Sequence, residues 1–268
     1  TNFDKKISKR LLGYLMALVM VLFTNGNAWA QTATIGTGTT VAATNGVPVY
    51  RSSATSGFHH AKSVQLLTAS QLAGAGIGPG SNISSWAYYR TVAGMPAGSN
   101  AWTLKLYLKN VPNTALTTGT SWDNLISGAT LAHNSIINAS SPSAIGWWTW
   151  PTTGFTYTGG SVMACIEWVP VGTIVSPAFT SGMSWQYTAS TGYQAMGTSS
   201  SAPILGTYST WSLSATSNAR FYNTQITYTA GANCSGIPNS GTAVISNAAG
   251  CAGASQTLSV TGGTTDAG

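Results

Sequence analysis

The sequence predicts an all-β protein, an antiparallel sandwich of jelly-roll-like type, and three observations carry that expectation. Apolar and polar residues alternate in short runs, clusters of Gly, Asn, Pro and Ser separate those runs, and helical periodicity is nearly absent after residue 30. The pattern is plainest in Trp102-Thr-Leu-Lys-Leu-Tyr-Leu-Lys109. Trp102, Leu104, Leu106 and Leu108 fall on one face and Thr103, Lys105, Tyr107 and Lys109 on the other, as a strand with one dry face requires.

Taken in order, residues 1–30 read as a secretory signal peptide. Lys5, Lys6, Lys9 and Arg10 form a basic head, the apolar run LLGYLMALVMVLF follows, and Ala28-Trp29-Ala30 supplies a small-x-small cleavage site before Gln31. That run is shorter than the roughly 20 residues a spanning helix needs, and no later run is longer. The mature chain is therefore expected to have no membrane span and to be extracellular or held at the outer cell surface. Residues 31–230 follow as a sandwich of eight or more strands, long enough to bury a sizeable core without disulfides.

Within it, one helical turn is expected over 68–77, capped by Thr68 or Ser70 and ended by Gly74 and Gly76. Strands are expected at 83–91, 102–109, 147–150, 162–169, 183–187 and 221–228. A composition shift at Gly231 marks a boundary. Residues 231–268 read as a linker and the first part of a truncated Ig-like β-domain, because Leu258 and Val260 alternate with polar neighbours. The absence of a starting Met at Thr1 and the stop at Gly268 in mid-pattern predict a piece of a longer protein.

Charge narrows the function. The chain carries a formal +6, but after cleavage at Ala30 six basic residues (Arg51, Lys62, Arg90, Lys105, Lys109, Arg220) face Asp123, Glu167 and Asp266. These charges are scattered, whereas nucleic-acid binding needs a concentrated basic patch, so that class of partner is excluded. Only 5% of residues are charged, against about 25% in an average soluble protein, and Thr, Ser, Asn and Gly carry the polarity. The partners this suggests are a polysaccharide or another cell-surface protein.

Several stretches carry a family likeness: Thr34-Ile-Gly-Thr-Gly-Thr39, Gln65-Leu-Leu-Thr-Ala-Ser-Gln-Leu72, Trp122-Asp-Asn-Leu125, and Gly146-Trp147 followed by Gly154-Phe-Thr-Tyr-Thr-Gly-Gly160. Together they resemble the N-terminal β-sandwich module of large secreted surface proteins of Bacteroidetes. Cys234-Ser-Gly-Ile-Pro238 and Cys251-Ala-Gly253 look like the opening of the Ig-like repeats that follow in such proteins. The resemblance implies export through the type IX route and an adhesin-like role. It brings no catalytic signature.

The residues themselves offer little chemistry, and no catalytic residue, metal site or cofactor is expected. Asp123, at an expected turn, and Glu167 are the only carboxylates in the main domain, and a glycosidase would need them facing each other across a cleft. In Val162-Met-Ala-Cys-Ile-Glu-Trp168, Glu167 shares a face with Met163 and Cys165, opposite Val162, Ala164, Ile166 and Trp168. A carboxylate there needs a partner from among Arg90, Lys105 and Arg220, or a solvent-facing position. Adjacent His59 and His60 would point to opposite faces of a strand and read as a surface loop. Cys165 reads as a buried free thiol, and Cys234 and Cys251 either bridge each other or pair beyond the chain's end.

The aromatics are the remaining signal. Tryptophan and tyrosine fill sandwich cores, and when exposed they stack on the C–H-rich faces of sugar rings. Gly146-Trp-Trp-Thr-Trp150 concentrates three indoles, so Trp147, Trp148 and Trp150 are the candidate ligand-binding residues. On a strand Trp148 and Trp150 point one way and Trp147 the other. The expected function is a non-catalytic, secreted or cell-surface binding module, with carbohydrate as the candidate ligand. An accessory module of a secreted hydrolase, or a structural matrix component, are the alternatives.

Overall fold

A computed structural model of the chain describes residues 29–43, 48–49, 59–200, 214–215, 219–231, 242–245 and 258–261. Its strands begin with β1 (Ala30–Ile35), β2 (Thr40–Ala43), β3 (His60–Leu67), β4 (Asn82–Val92) and β5 (Ala101–Val111). They continue with β6 (Thr130–Asn138), β7 (Gly146–Thr156), β8 (Ser161–Pro170), β9 (Ser184–Ala189) and β10 (Ala195–Ser200). The last are β11 (Ser214–Ala215), β12 (Arg220–Tyr222), β13 (Thr224–Thr229), β14 (Thr242–Ile245) and β15 (Leu258–Thr261). Two short helices are described, α1 (Ala69–Gly74) and α2 (Trp122–Ile126).

Two antiparallel sheets pack face to face. The first has the order β1-β13-β4-β9-β12, with β7 on the far side of β4 and β2 beside β9; the second runs β11-β10-β3-β8-β5-β6. The paths β1-β13-β4-β7 and β3-β8-β5-β6 are the wiring of a jelly roll, with β9 to β12 inserted before the last strand. β14 and β15 form a separate antiparallel pair in the segment read as the start of a second domain. Residues 1–28 of the expected leader, Trp211, and both Cys234 and Cys251 lie outside the described residues. No described helix is long and apolar enough to cross a membrane.

The alternation seen in the sequence builds the core. Trp102, Leu104, Leu106 and Leu108 on β5 are fully buried between the sheets, beside Val162, Ala164, Ile166 and Trp168 of β8. Aromatic rings run through this core from one sheet to the other. Phe179 lies 4.4 Å from Trp102, Trp102 stacks 5.7 Å from Trp168, Trp168 meets Trp148 edge-on at 6.5 Å, and Trp148 stacks 5.8 Å from Trp185. Such contacts add about 0.5–1.5 kcal/mol each beyond the area they bury.

A second core lies on the outer face of the second sheet. Val64, Leu66, Met163, Cys165 and Met196 pack there against Val111, Leu116, Trp122 and Leu125. The last three belong to the 112–129 connection, which roofs this face through α2. β3 and most of β8 are therefore buried on both faces. Polar residues caught inside are held individually. Gln65 accepts from the Tyr222 N–H at 2.8 Å and donates to Tyr222 O at 3.1 Å and Thr224 Oγ1 at 2.7 Å. It thereby satisfies the backbone of Tyr222, next to Asn223, where the strand expected over 221–228 breaks into β12 and β13.

The expected helical turn is α1, capped by Thr68 in a capping box with Gln71, and Gly76 follows it at φ +80. Three expectations are corrected. His59 and His60 are not a surface loop: His60 opens β3 and is buried, and the His59 carbonyl accepts from Trp102 Nε1 at 2.9 Å. Trp122 and Asp123 begin a helix rather than a turn. The partners of Glu167 are Lys62 and Lys105, at 3.4 and 3.0 Å, while Arg90 and Arg220 lie against aromatic rings instead.

Candidate functional site

β7 is an edge strand of the first sheet and β6 an edge strand of the second, joined by the loop 139–145. Between them opens a cleft of about 460 Å³, lined by all three indoles of the Gly146-Trp-Trp-Thr-Trp150 stretch. The β7 register explains how they are shared out. Trp148 and Trp150 stand opposite Tyr88 and Trp86 of β4 and point into the sandwich, where they are buried; Trp147 stands opposite Tyr89 and points outward. Gly146, at φ +117, takes the backbone conformation that turns the chain out of the loop into this strand. Trp147 is half-buried and meets the Tyr89 ring edge-on at 5.2 Å. Of the three indoles it is the one that is not buried.

His133 closes the opposite wall. Its ring lies 6.3 Å from Trp150 and nearly parallel to it. Nδ1 stands 2.8 Å from Pro151 O and Nε2 2.8 Å from Ser135 Oγ. A carbonyl only accepts, so Nδ1 carries the proton and Nε2 accepts from the serine hydroxyl. Burial lowers the imidazole's pKa, against the raising effect of the Pro151 carbonyl, which keeps this neutral arrangement in place.

Arg90, on β4, forms the floor. It is 1% exposed, sits 4.7 Å over the Trp148 ring, and donates through Nη2 to Pro142 O at 3.0 Å and Ala144 O at 2.8 Å. The guanidinium thus pins the 139–145 loop as a wall of the cleft. Burial pulls its pKa down to about 10, so it stays cationic at neutral pH. Arg90 Nε and the buried Trp150 Nε1 have no hydrogen-bond partner. Ser135, Ser141 and Thr149 supply hydroxyls and Ile136 and Ile137 apolar surface. The cleft can bind and orient a ligand; its lining brings one hydroxyl, Ser135, beside one imidazole, His133, and includes no carboxylate.

The remaining chemical groups are placed elsewhere. Glu167 lies under the 112–129 roof between two ammonium groups, and Trp122 covers Lys62 at 4.8 Å. Asp123 is exposed on α2, and its charge also acts on Lys62. The two carboxylates therefore share a neighbourhood with Lys62, but not a cleft. Among the described residues no group of three or more His, Cys, Asp or Glu is placed to hold a metal ion. The sequence pointed to the tryptophans but not to Arg90 or His133. The only signal for Arg90 was a basic residue at an inward position of a predicted strand. Comparison with family models, with curated proteins and with solved structures finds no match.

Proposed function

We propose that the sandwich is a non-catalytic binding module, secreted or displayed on the outer cell surface, that takes a carbohydrate at the β6–β7 cleft. One observation carries this reading: the half-buried Trp147, held edge-on by Tyr89, at the mouth of a cleft whose other walls are hydroxyls and apolar side chains. An indole face packs against the C–H face of a pyranose, and the surrounding groups can bond its hydroxyls. The indole is already held in place, so stacking on it costs little ordering entropy. Glu167 supports the non-catalytic part of the reading, because both of its neighbouring ammonium groups hold it under a roof.

The test is a glycan array probed with the chain and with Trp147→Ala. The wild type is expected to retain a defined set of glycans, and Trp147→Ala to lose roughly tenfold or more in affinity for them with unchanged circular dichroism. A folded wild type that binds no glycan would overturn the proposal.

A further inference from the structure

The β6–β7 cleft has a charge of its own, which narrows its ligand. Arg90 is buried at the floor with no carboxylate beside it. Among the described residues the carboxylates are Asp123, exposed on α2, and Glu167, engaged by Lys62 and Lys105 on the outer face of the second sheet. The contacts of Arg90 are two loop carbonyls, the Trp148 face and Met95 Sδ at 3.6 Å. A buried cation without a counter-charge is costly, and carbonyl dipoles offset only part of that cost. The two side-chain atoms left without a partner in the cleft's lining, Arg90 Nε and Trp150 Nε1, are both donors. His133 Nε2 is occupied by the Ser135 hydroxyl, so the imidazole adds no free acceptor.

A cleft with a net positive floor, whose two unpartnered buried side-chain atoms are both donors, is complementary to an acceptor-rich anion. Resting on the carbohydrate reading above, we infer that the ligand is an acidic glycan, carrying a carboxylate or a sulfate ester that lies toward Arg90 while a sugar face packs on Trp147. Neutral hydroxyls would satisfy the donors but leave the charge uncompensated.

Calorimetry with matched pairs separates these cases. Oligogalacturonate is compared with its fully methyl-esterified form, and a sulfated galactan oligomer with the same oligomer desulfated. The acidic member of one pair is expected to bind about tenfold or more tighter than its neutral partner, and which pair discriminates tells carboxylate from sulfate. Trp150→Phe keeps the ring and removes one donor, so it should reduce that preference; Arg90→Met should abolish it. If Arg90→Met does not fold, Trp150→Phe decides. Equal binding of both members of each pair, lost in Trp147→Ala, would overturn the acidic ligand and leave the carbohydrate reading standing. An acid preference that survives Trp147→Ala and Trp150→Phe would place the site elsewhere and overturn the inference. A folded chain that binds neither these probes nor any glycan on the array would overturn both.

Discussion

Cys165 lies on β8 beneath the 112–129 roof with no exposed surface, and burial pushes its thiol up to about 12. A thiolate is the reactive form, so this residue should be inert although it is unpaired. Alkylation at pH 8 followed by peptide mapping is expected to leave Cys165 unmodified in the native protein and to label it fully in guanidinium. Labelling of the native state would show that the roof opens. The sequence placed this residue correctly because face assignment along Val162–Trp168 follows from period-2 geometry alone. Arg90 was not legible in the same way. What gives it meaning are the carbonyls of Pro142 and Ala144, more than fifty residues away along the chain.

At the scale of elements, legibility followed polarity. β5 could be read directly, since one face is dry and the other wet. β3 could not, because His60-Ala-Lys-Ser-Val-Gln-Leu-Leu67 is buried on both faces and its polar residues are satisfied by particular distant partners. β6 was missed for the opposite reason: Leu131 and Ile136 are exposed, and a bulge near Leu106–Tyr107 interrupts the alternation. Gln65 shows what holds a doubly buried strand. Gln65→Leu would remove the side-chain bonds to the Tyr222 N–H and carbonyl in the core, so a loss of about 2–3 kcal/mol is expected in urea denaturation. A loss below about 0.5 kcal/mol would mean that the Tyr222 backbone is satisfied without it.

The molecule as a whole carries few charges, so the buried Lys62–Glu167–Lys105 group weighs on its pH dependence. Burial holds the Lys62 ammonium down to about 8, against a usual value of 10.5. Between those values the unfolded chain binds the extra proton, so Lys62 makes stability rise with pH across that window and contributes no slope below it. Cys165 also titrates and is common to wild type and Lys62→Met, while Lys105, shifted upward, shares Glu167 with Lys62. The stability of wild type relative to Lys62→Met is therefore expected to rise by about 1.5 kcal/mol from pH 8 to 9.5, measured by denaturant titration. A flat difference would mean that the ammonium is not depressed. The jelly roll that creates this interior was readable from strand spacing, whereas the second core depends on how the 112–129 connection folds back over the sheet.

β1 pairs antiparallel with β13, and Ala30 stands opposite Thr229 at the end of that ladder. The chain thus enters and leaves the sandwich side by side. Tension applied between the start of β1 and the residues after Thr229 would load those hydrogen bonds one rung at a time instead of all together. Held by β1 and pulled from beyond Thr229, the domain would peel open from this seam at low force, acting as an extensible link and not as a rigid clamp.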